Sequence, residues 1–165
     1  MTRVFVVLVV GSFLTVVVEA TAMGQPLLAI ALAAAFTAVS VGAYGRIERR
    51  APSRRRGFAV AYIGVQLALG YLLFGPAEAG VGVTLLLMVL VSQSVLLLPL
   101  LAAALVVAAV PLVHIGMAWG DGLRSGWGTL AAATFTAVVT ELLRREQHAR
   151  VELADANGRL RGYAA

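Results

Sequence analysis

The chain contains no cysteine and no lysine, and only 13% of its 165 residues are charged. Without cysteine it forms no disulfide bonds, offers no thiolate to a metal and has no thiol nucleophile. Without lysine it cannot form the Schiff base on which retinal or pyridoxal chemistry depends. Apolar residues dominate instead, because 61% of the residues are hydrophobic and the mean hydropathy is +0.93. This composition predicts an integral membrane protein.

All thirteen basic residues are arginine, the formal net charge is +5 and the isoelectric point is near 10.7. A basic balance of this kind is also typical of proteins that bind nucleic acid. We exclude that class, because the arginines gather at the ends of apolar segments, where membrane topology places them. The first apolar segment lacks a signal-peptide cleavage site and is followed at once by others, so we predict a retained helix.

We predict an all-α polytopic membrane protein with about six transmembrane helices. A bilayer core needs about 20 apolar residues per helix. The predicted spans are 4–22, 26–45, 58–75, 81–98, 100–119 and 127–143. The predicted connections include an arginine-rich loop at 46–56, a tight turn at 76–80 and a polar loop at 121–126.

The longest apolar segment, 81–120, contains no acidic residue and no arginine. As one helix it would be about 60 Å long, twice the thickness of the hydrocarbon core. It must therefore fold back on itself, and Pro99 predicts the break because proline cannot continue a helix. This gives spans four and five.

Arginine distribution predicts the orientation. Six spans put both termini on one side, together with Arg3, the six arginines of 46–56 and the five after residue 143. Arg124 alone lies on the other side. The positive-inside rule then makes the arginine-rich side cytoplasmic. We expect a bacterial cytoplasmic membrane, because an arginine-only complement suits a high-GC genome.

Five polar residues in the outer third of the predicted bundle are candidates for sensing: Glu19, Glu78, His114, Asp121 and Arg124. A glutamate and a histidine at that depth can sense protons, bind a metal or receive a cationic ligand. The alternative is that Glu19 reaches the interface and His114 bonds a neighbouring helix.

Other polar residues predict structure rather than chemistry. Gln66 and Gln93 are expected to hydrogen-bond between helices. A bis-histidine haem is excluded because the second histidine, His148, lies on the cytoplasmic side. Neither a zinc-binding His-Glu-x-x-His motif nor a phosphate-binding glycine loop occurs. We therefore predict no catalytic, cofactor-binding or metal-binding residue in this chain.

The segment after residue 143 predicts a cytoplasmic coiled coil, so we divide the chain into a membrane domain, 1–143, and a linker, 144–165. Apolar or small residues recur there with 4-3-4-3 spacing, and charges of both signs surround them. The predicted dimer seam is Ala149, Leu153, Ala156, Leu160 and Tyr163. Small alanines make this seam weak, which suits a switchable helix. The alternative is an amphipathic tail that lies on the bilayer or in solvent.

Residues 142–165, from Leu-Leu-Arg-Arg-Glu-Gln-His-Ala-Arg to the chain end, resemble the linker helix of two-component sensor histidine kinases of the NarL/DesK-like subfamily. The resemblance implies a multi-span sensor, a dimer, and downstream phosphotransfer and ATP-binding domains that act on a response regulator. His148 stands before the seam and outside the family's phosphoacceptor motif, and the ATP-binding boxes are absent. The resemblance therefore implies that this chain is the input region without enzymatic activity, with ATP and Mg²⁺ needed only by the absent kinase core.

Three functions remain open on the sequence. The first is the sensor of a histidine kinase, homodimeric through the last span and the tail, and surrounded by membrane lipids. The second is a small transporter or channel subunit with a polar pathway along Glu19, Gln66, Gln93 and His114. The third is an accessory protein whose tail recruits a cytoplasmic partner.

Overall fold

The computed structural model describes residues 2–24, 26–49, 52–74, 80–115 and 119–163, with side chains in these ranges except at 2–4, 23, 26, 48, 52–54, 119–121, 123 and 160–163. Within this part of the chain there are six α-helices, one 3₁₀ turn and no strand. The α-helices are α1 (Thr2–Met23), α2 (Pro26–Glu48), α3 (Pro52–Phe74), α4 (Val81–Leu97), α5 (Leu100–Ala109) and α6 (Trp119–Tyr163). The 3₁₀ turn, Val110–His114, follows α5 directly.

Four of the described helices are long and apolar enough to cross a membrane, namely α1, α2, α3 and α6. Two apolar segments are shorter, Val81–Leu97 and Leu100–His114. Large apolar side chains also face outward, such as Leu27 at 84% exposure and Leu101 at 83%. In water such surfaces would be aggregation sites, whereas hydrocarbon tails solvate them. The predicted all-α architecture is confirmed for the described residues, and several of its helices could cross a membrane. The number of crossings stays a prediction.

Glycine and proline residues lie at the turns between helices. Gly24 follows α1 with φ of +78°, a left-handed conformation that glycine adopts without steric cost. Pro26 then begins α2, at a position where its missing N–H is not needed. Between α4 and α5 the backbone is extended at Leu98 and Pro99. The predicted break at Pro99 is therefore confirmed.

Three predicted boundaries were wrong. Residues 46–56 are not one loop, because α2 continues to Glu48 and α3 begins at Pro52; arginine is a good helix former. Residues 121–126 are helical, because α6 begins at Trp119. The fifth span is not an α-helix to residue 119, since α5 ends at Ala109 and tightens into the 3₁₀ turn that contains Pro111.

Helix α4 is the centre of the bundle. It packs against α1, α2, α3, α5 and α6. Eleven of its seventeen residues are buried, and the remaining six share one face of the helix. The closest approach is at Gly82, where an added Cβ would lie 2.6 Å from the backbone nitrogen of Val16 on α1. Only glycine permits this contact between the two backbones.

Contacts at the first and the last turn of α4 define two opposite ends of the bundle. At one end the side chain of Glu19, on α1, contacts the beginning of α4; we call this the Glu19 end. At the other, Arg55 and Arg144 contact the last turn of α4; we call this the arginine-rich end. The rings of Phe5 and Tyr44 lie 5.4 Å apart and join the start of α1 to the end of α2.

Candidate functional site

At the Glu19 end, a carboxylate caps α4 from a different helix. Oε1 of Glu19 accepts the backbone N–H of Val81 and Oε2 accepts that of Gly82, both at 2.9 Å. The N-cap residue, Gly80, has no side chain with which to do this. A negative charge at a helix start also interacts favourably with the helix dipole. Glu19 is thus engaged with the backbone of α4, a partner that the sequence did not indicate.

At the arginine-rich end, two cations cap the same helix. Arg55 on α3 donates to the carbonyl of Leu96 at 3.2 Å, and Arg144 on α6 donates to the carbonyl of Val95 at 3.3 Å. These carbonyls lie in the last turn of α4, where helical partners are missing. Positive charge there again suits the helix dipole. A helix without any charge of its own is therefore capped by three charged side chains from three other helices.

Between these ends, a buried polar cluster joins α2, α3 and α4. It consists of Ser40, Tyr62, Gln66 and Gln93, each no more than 5% exposed. The hydroxyl of Tyr62 donates to Oε1 of Gln93, and the amide of Gln93 donates to Ser40 at 3.1 Å. These bonds are favourable because the alternative is an unsatisfied polar group in an apolar interior.

Gln66 extends this cluster towards α2. Its amide donates to the backbone carbonyl of Phe36 at 3.1 Å. Gln66 and Gln93 thus bond between helices, as predicted. The amide oxygen of Gln66 is buried without a partner among the described atoms, so the cluster is not fully satisfied.

A second row of polar contacts holds α6 along α4. Thr140 donates to Ser92 at 3.1 Å, and Thr136 donates to the sulfur of Met88 at 3.4 Å. One turn further, Arg144 reaches the end of α4. The polar side chains of α6 that face the bundle thus follow α4 to the point where α6 leaves it.

His114 joins the 3₁₀ turn to the first part of α6. Its Nδ1 lies 3.3 Å from the carbonyl of Pro111, and its Nε2 lies 3.4 Å from the hydroxyl of Thr129 on α6. Its ring packs against Phe74, with centroids 4.5 Å apart. Nδ1 must carry the proton if it donates to a carbonyl, which leaves Nε2 as an acceptor. His114 therefore bonds a neighbouring helix, which is the alternative to a sensing role.

Glu78, Asp121 and Arg124 were the remaining candidates for sensing. Arg124 is exposed near the start of α6. Asp121 lies in α6, but its side chain is outside the described residues, and Glu78 lies outside them entirely. In the described part of the chain, no group of three or more His, Cys, Asp or Glu residues is placed to hold a metal ion.

Beyond the bundle, α6 continues without cover. Every residue of 145–159 is exposed, including Ala149, Leu153 and Ala156 of the predicted seam. Ion pairs one turn apart join Glu141 to Arg145 at 2.9 Å and Glu146 to Arg150 at 2.5 Å. Pairs with this spacing and order stabilise an isolated helix.

Leu160 and Tyr163 complete the predicted seam. Their side chains lie outside the described ones, although α6 extends to Tyr163. The coiled coil therefore stays a prediction.

Sequence reasoning missed Ser40, Tyr62, Arg55 and Arg144 as structural residues. Tyr62 had a detectable signal, because it lies four residues before Gln66 and thus on the same helix face. The arginines had none, because their partners are backbone carbonyls about 40 to 50 positions away in sequence.

Comparison of the chain with protein-family models, with curated proteins and with solved structures found no match. Among the described residues, the structure is an α-helical bundle built around α4, with four helices that could cross a membrane and one helix that extends beyond the bundle.

Proposed function

We propose that this chain is the transmembrane input region of a two-component sensor histidine kinase. In this proposal a stimulus in the membrane or at the outer surface changes the position of α6. The projecting half of α6 carries that change to a kinase core further along. The arginine-rich end faces the cytoplasm, six segments cross the membrane, and the active unit is a homodimer.

The observation that carries the proposal is the continuity of α6. It is one helix of 45 residues from Trp119 to Tyr163, about 68 Å long. About 25 residues of it lie alongside the bundle, and the rest project beyond Arg144. A rigid helix that crosses a membrane and continues outside transmits rotation or displacement along its whole length, which an interrupted chain does not.

The contacts of α6 supply a route from the Glu19 end to the exit. Near its start, Thr129 contacts His114. Further along, Thr140 and Arg144 contact the last two turns of α4, whose first turn is held by Glu19. A change at the Glu19 end therefore reaches the exit of α6 through one packed helix. Coupling of this kind requires a contiguous packed element with two positions, and α4 supplies the contiguity.

The transporter alternative has less support. Its four pathway residues belong to three separate sets of contacts: Glu19 with the start of α4, Gln66 and Gln93 in the buried cluster, and His114 with Thr129. Three of the four are at most 5% exposed. An accessory protein would use the same projecting helix, but its tail would bind a separate cytoplasmic protein instead of leading into a kinase core.

Disulfide crosslinking along the tail tests the proposal. Because the sequence has no native cysteine, only the introduced cysteines can form crosslinks between chains. Single cysteines are placed at 149, 153, 156 and 160, with 152 and 155 as controls off the seam, and oxidised in native membranes. We expect crosslinked dimers at the four seam positions and little at the controls, because a and d positions of a parallel coiled coil face each other.

Equal crosslinking at all six positions, or at none, would contradict the dimeric signalling helix.

A second assay distinguishes the sensor from the transporter alternative. Vesicles that contain the purified chain should show no ion conductance or solute uptake above empty vesicles. A third assay uses a chimera in which a histidine kinase core follows residue 165. The chimera should autophosphorylate, and the insertion of two residues at the junction should change that activity. Two residues turn the helix by about 200°, so an unchanged activity would contradict relay through α6.

A further inference from the structure

A cavity of about 390 Å³ lies between α5 and α6 at the arginine-rich end. This volume is in the range of roughly 300–1,000 Å³ that is typical of small-molecule sites. The lining residues are apolar except for Thr134, Glu141 and Arg145.

Small side chains create the cavity. Ala103 and Ala137, on facing helices, form part of its wall, and Val95 of α4 lies behind them. Ala103 and Val95 are buried, whereas the lining residues Leu100 and Leu142 are more than half exposed. The cavity therefore has a closed inner wall and an open side towards the surroundings of the bundle, which in a membrane are lipid chains.

The length of the cavity matches one leaflet. Along α6 it extends from Thr134 to Arg145, about 16 Å of helix. The hydrocarbon core of a bilayer is about 30 Å thick, so one leaflet contributes about half of that. The cavity begins at the charged end of the bundle and runs inward to that depth.

The charged end has an excess cation. Glu141 pairs with both Arg144 and Arg145, at 2.8 and 2.9 Å, which leaves one positive charge in this group of three. Arg145 uses only its Nε for the pair, and its side chain is 70% exposed. Because Arg145 also lines the cavity, this exposed cation is a suitable partner for a phosphate or another anion at the charged end.

We propose that this cavity binds one acyl chain of an anionic phospholipid from the leaflet at the arginine-rich end, with the head group on Arg145. The apolar lining, the one-leaflet length and the excess cation at the charged end are the features that such a lipid requires. The site depends on membrane insertion and not on the signalling role of α6. Because six residues of α6 line it, an occupant adjoins the segment that leads into the projecting tail.

The test uses the full chain in phosphatidylcholine vesicles that contain a small amount of phosphatidylglycerol with a diazirine in one acyl chain. After irradiation, mass spectrometry maps the labelled residues. We expect several-fold more label on 100–107 and 134–142 than on other outward-facing helix surfaces. Phosphatidylcholine with the same diazirine chain should label these segments no more than the rest.

Two variants and two matched controls make the test specific. Ala104→Trp fills the cavity, whereas Leu105→Trp places the same side chain at an outward-facing neighbour that does not line it. Arg145→Gln removes the cation at the charged end, whereas Arg150→Gln removes one on the tail. We expect A104W and R145Q to reduce the label several-fold and L105W and R150Q to leave it unchanged.

Uniform labelling of all outward-facing helices, or equal labelling by the two lipids, overturns the proposal. Equal labelling in R145Q and R150Q overturns it as well. Circular dichroism checks that each variant is folded, and if A104W is not, the R145Q pair still decides. Tail crosslinking is a separate measurement, so the lipid site and the signalling role can fail independently.

Discussion

Helix α4 and the tail of α6 are of similar length but opposite in construction. The seventeen residues of α4 include no charge, and eleven of them are buried. The fifteen residues 145–159 include six charges, and all fifteen are exposed. Helix α4 obtains its capping charges from Glu19, Arg55 and Arg144 on other helices. The tail obtains its electrostatic support from its own sequence, through the pair of Glu146 and Arg150.

The difference separates two sources of helix stability. Tertiary contacts determine α4, because its unpaired backbone groups, its packing and its close approach to α1 all depend on neighbours. Local pairs stabilise the tail, and such pairs contribute only a few tenths of a kcal/mol each. Substitutions in α4 should therefore affect the whole bundle, while equivalent substitutions in the tail should leave it unchanged.

The largest effect should come from Gly82→Ala. The new Cβ would lie within 2.9 Å of three atoms of Val16, two of them in the backbone, so α1 and α4 must separate. We expect the free energy of unfolding in detergent to fall by about 1–3 kcal/mol, a typical cost of overpacking. Gly64→Ala on α3 is the control, because a Cβ there meets nothing within 4 Å. It should be neutral or stabilising by up to about 1 kcal/mol. Equal losses in the two variants would show that Gly82 is not a close-contact position.

The next effect should come from Gln93→Leu. Ser40 and Tyr62 would lose a partner inside the bundle, and an unsatisfied buried group costs about 1–3 kcal/mol. Hydrogen bonds in membrane bundles are weaker on average, so we expect a loss of about 1–2 kcal/mol. Gln147→Leu makes the same change at an exposed position of the tail and should alter the free energy of unfolding by less than about 0.5 kcal/mol. Thermal unfolding followed by circular dichroism measures the stability of both variants. A loss of stability in Q147L but not in Q93L would contradict this prediction.

A smaller effect is expected for Glu19→Ala, which removes both acceptors at the start of α4. Loss of a helix cap typically costs about 1 kcal/mol. Glu19→Gln should lie between this variant and the wild type, because one amide oxygen can still accept an N–H. Glu146→Ala, which breaks a tail ion pair, should cost no more than about 0.5 kcal/mol. The order E19A, E19Q, E146A in chemical denaturation is the expected result, and an inverted order would assign Glu19 a role other than capping.

The same contrast explains what could be predicted from the sequence. The break at Pro99 was predictable from the length of segment 81–120 and from the proline within it. A 40-residue helix is too long for a bilayer, and proline cannot continue a helix. The role of Gln66 and Gln93 was also predictable, because a buried amide needs a partner and neighbouring helices supply one. These inferences use local rules that hold in any fold.

The cap at Glu19 was not predictable, because its partners at 81 and 82 are 62 and 63 residues away. The only hint was that Gly80, before an apolar helix, has no capping side chain. The boundaries at 46–56 and 121–126 failed for a related reason. The sequence predicts loops in these charged and glycine-containing segments, although helices extend into 46–56 from both sides and α6 covers all of 121–126; arginine is a favourable helix residue. Pairings between distant residues, which fix α4, leave little trace in one sequence.

The smallest effect on the bundle, and the sharpest on the tail, is expected for Leu153→Ala. Leu153 is 64% exposed in the single chain, and the matched residue Val151 is 61% exposed but lies off the seam. Neither substitution to alanine should change the unfolding of the bundle, because both residues lie beyond its contacts. If two tails pair along the seam, however, Leu153 becomes buried between them and Val151 does not. We then expect L153A to weaken association by about 1 kcal/mol, which reduces disulfide crosslinking at position 149 or 156 roughly fivefold. V151A should leave the crosslinking unchanged. Equal crosslinking in the two variants would mean that the exposed apolar residues of the tail serve a surface other than a second copy of α6.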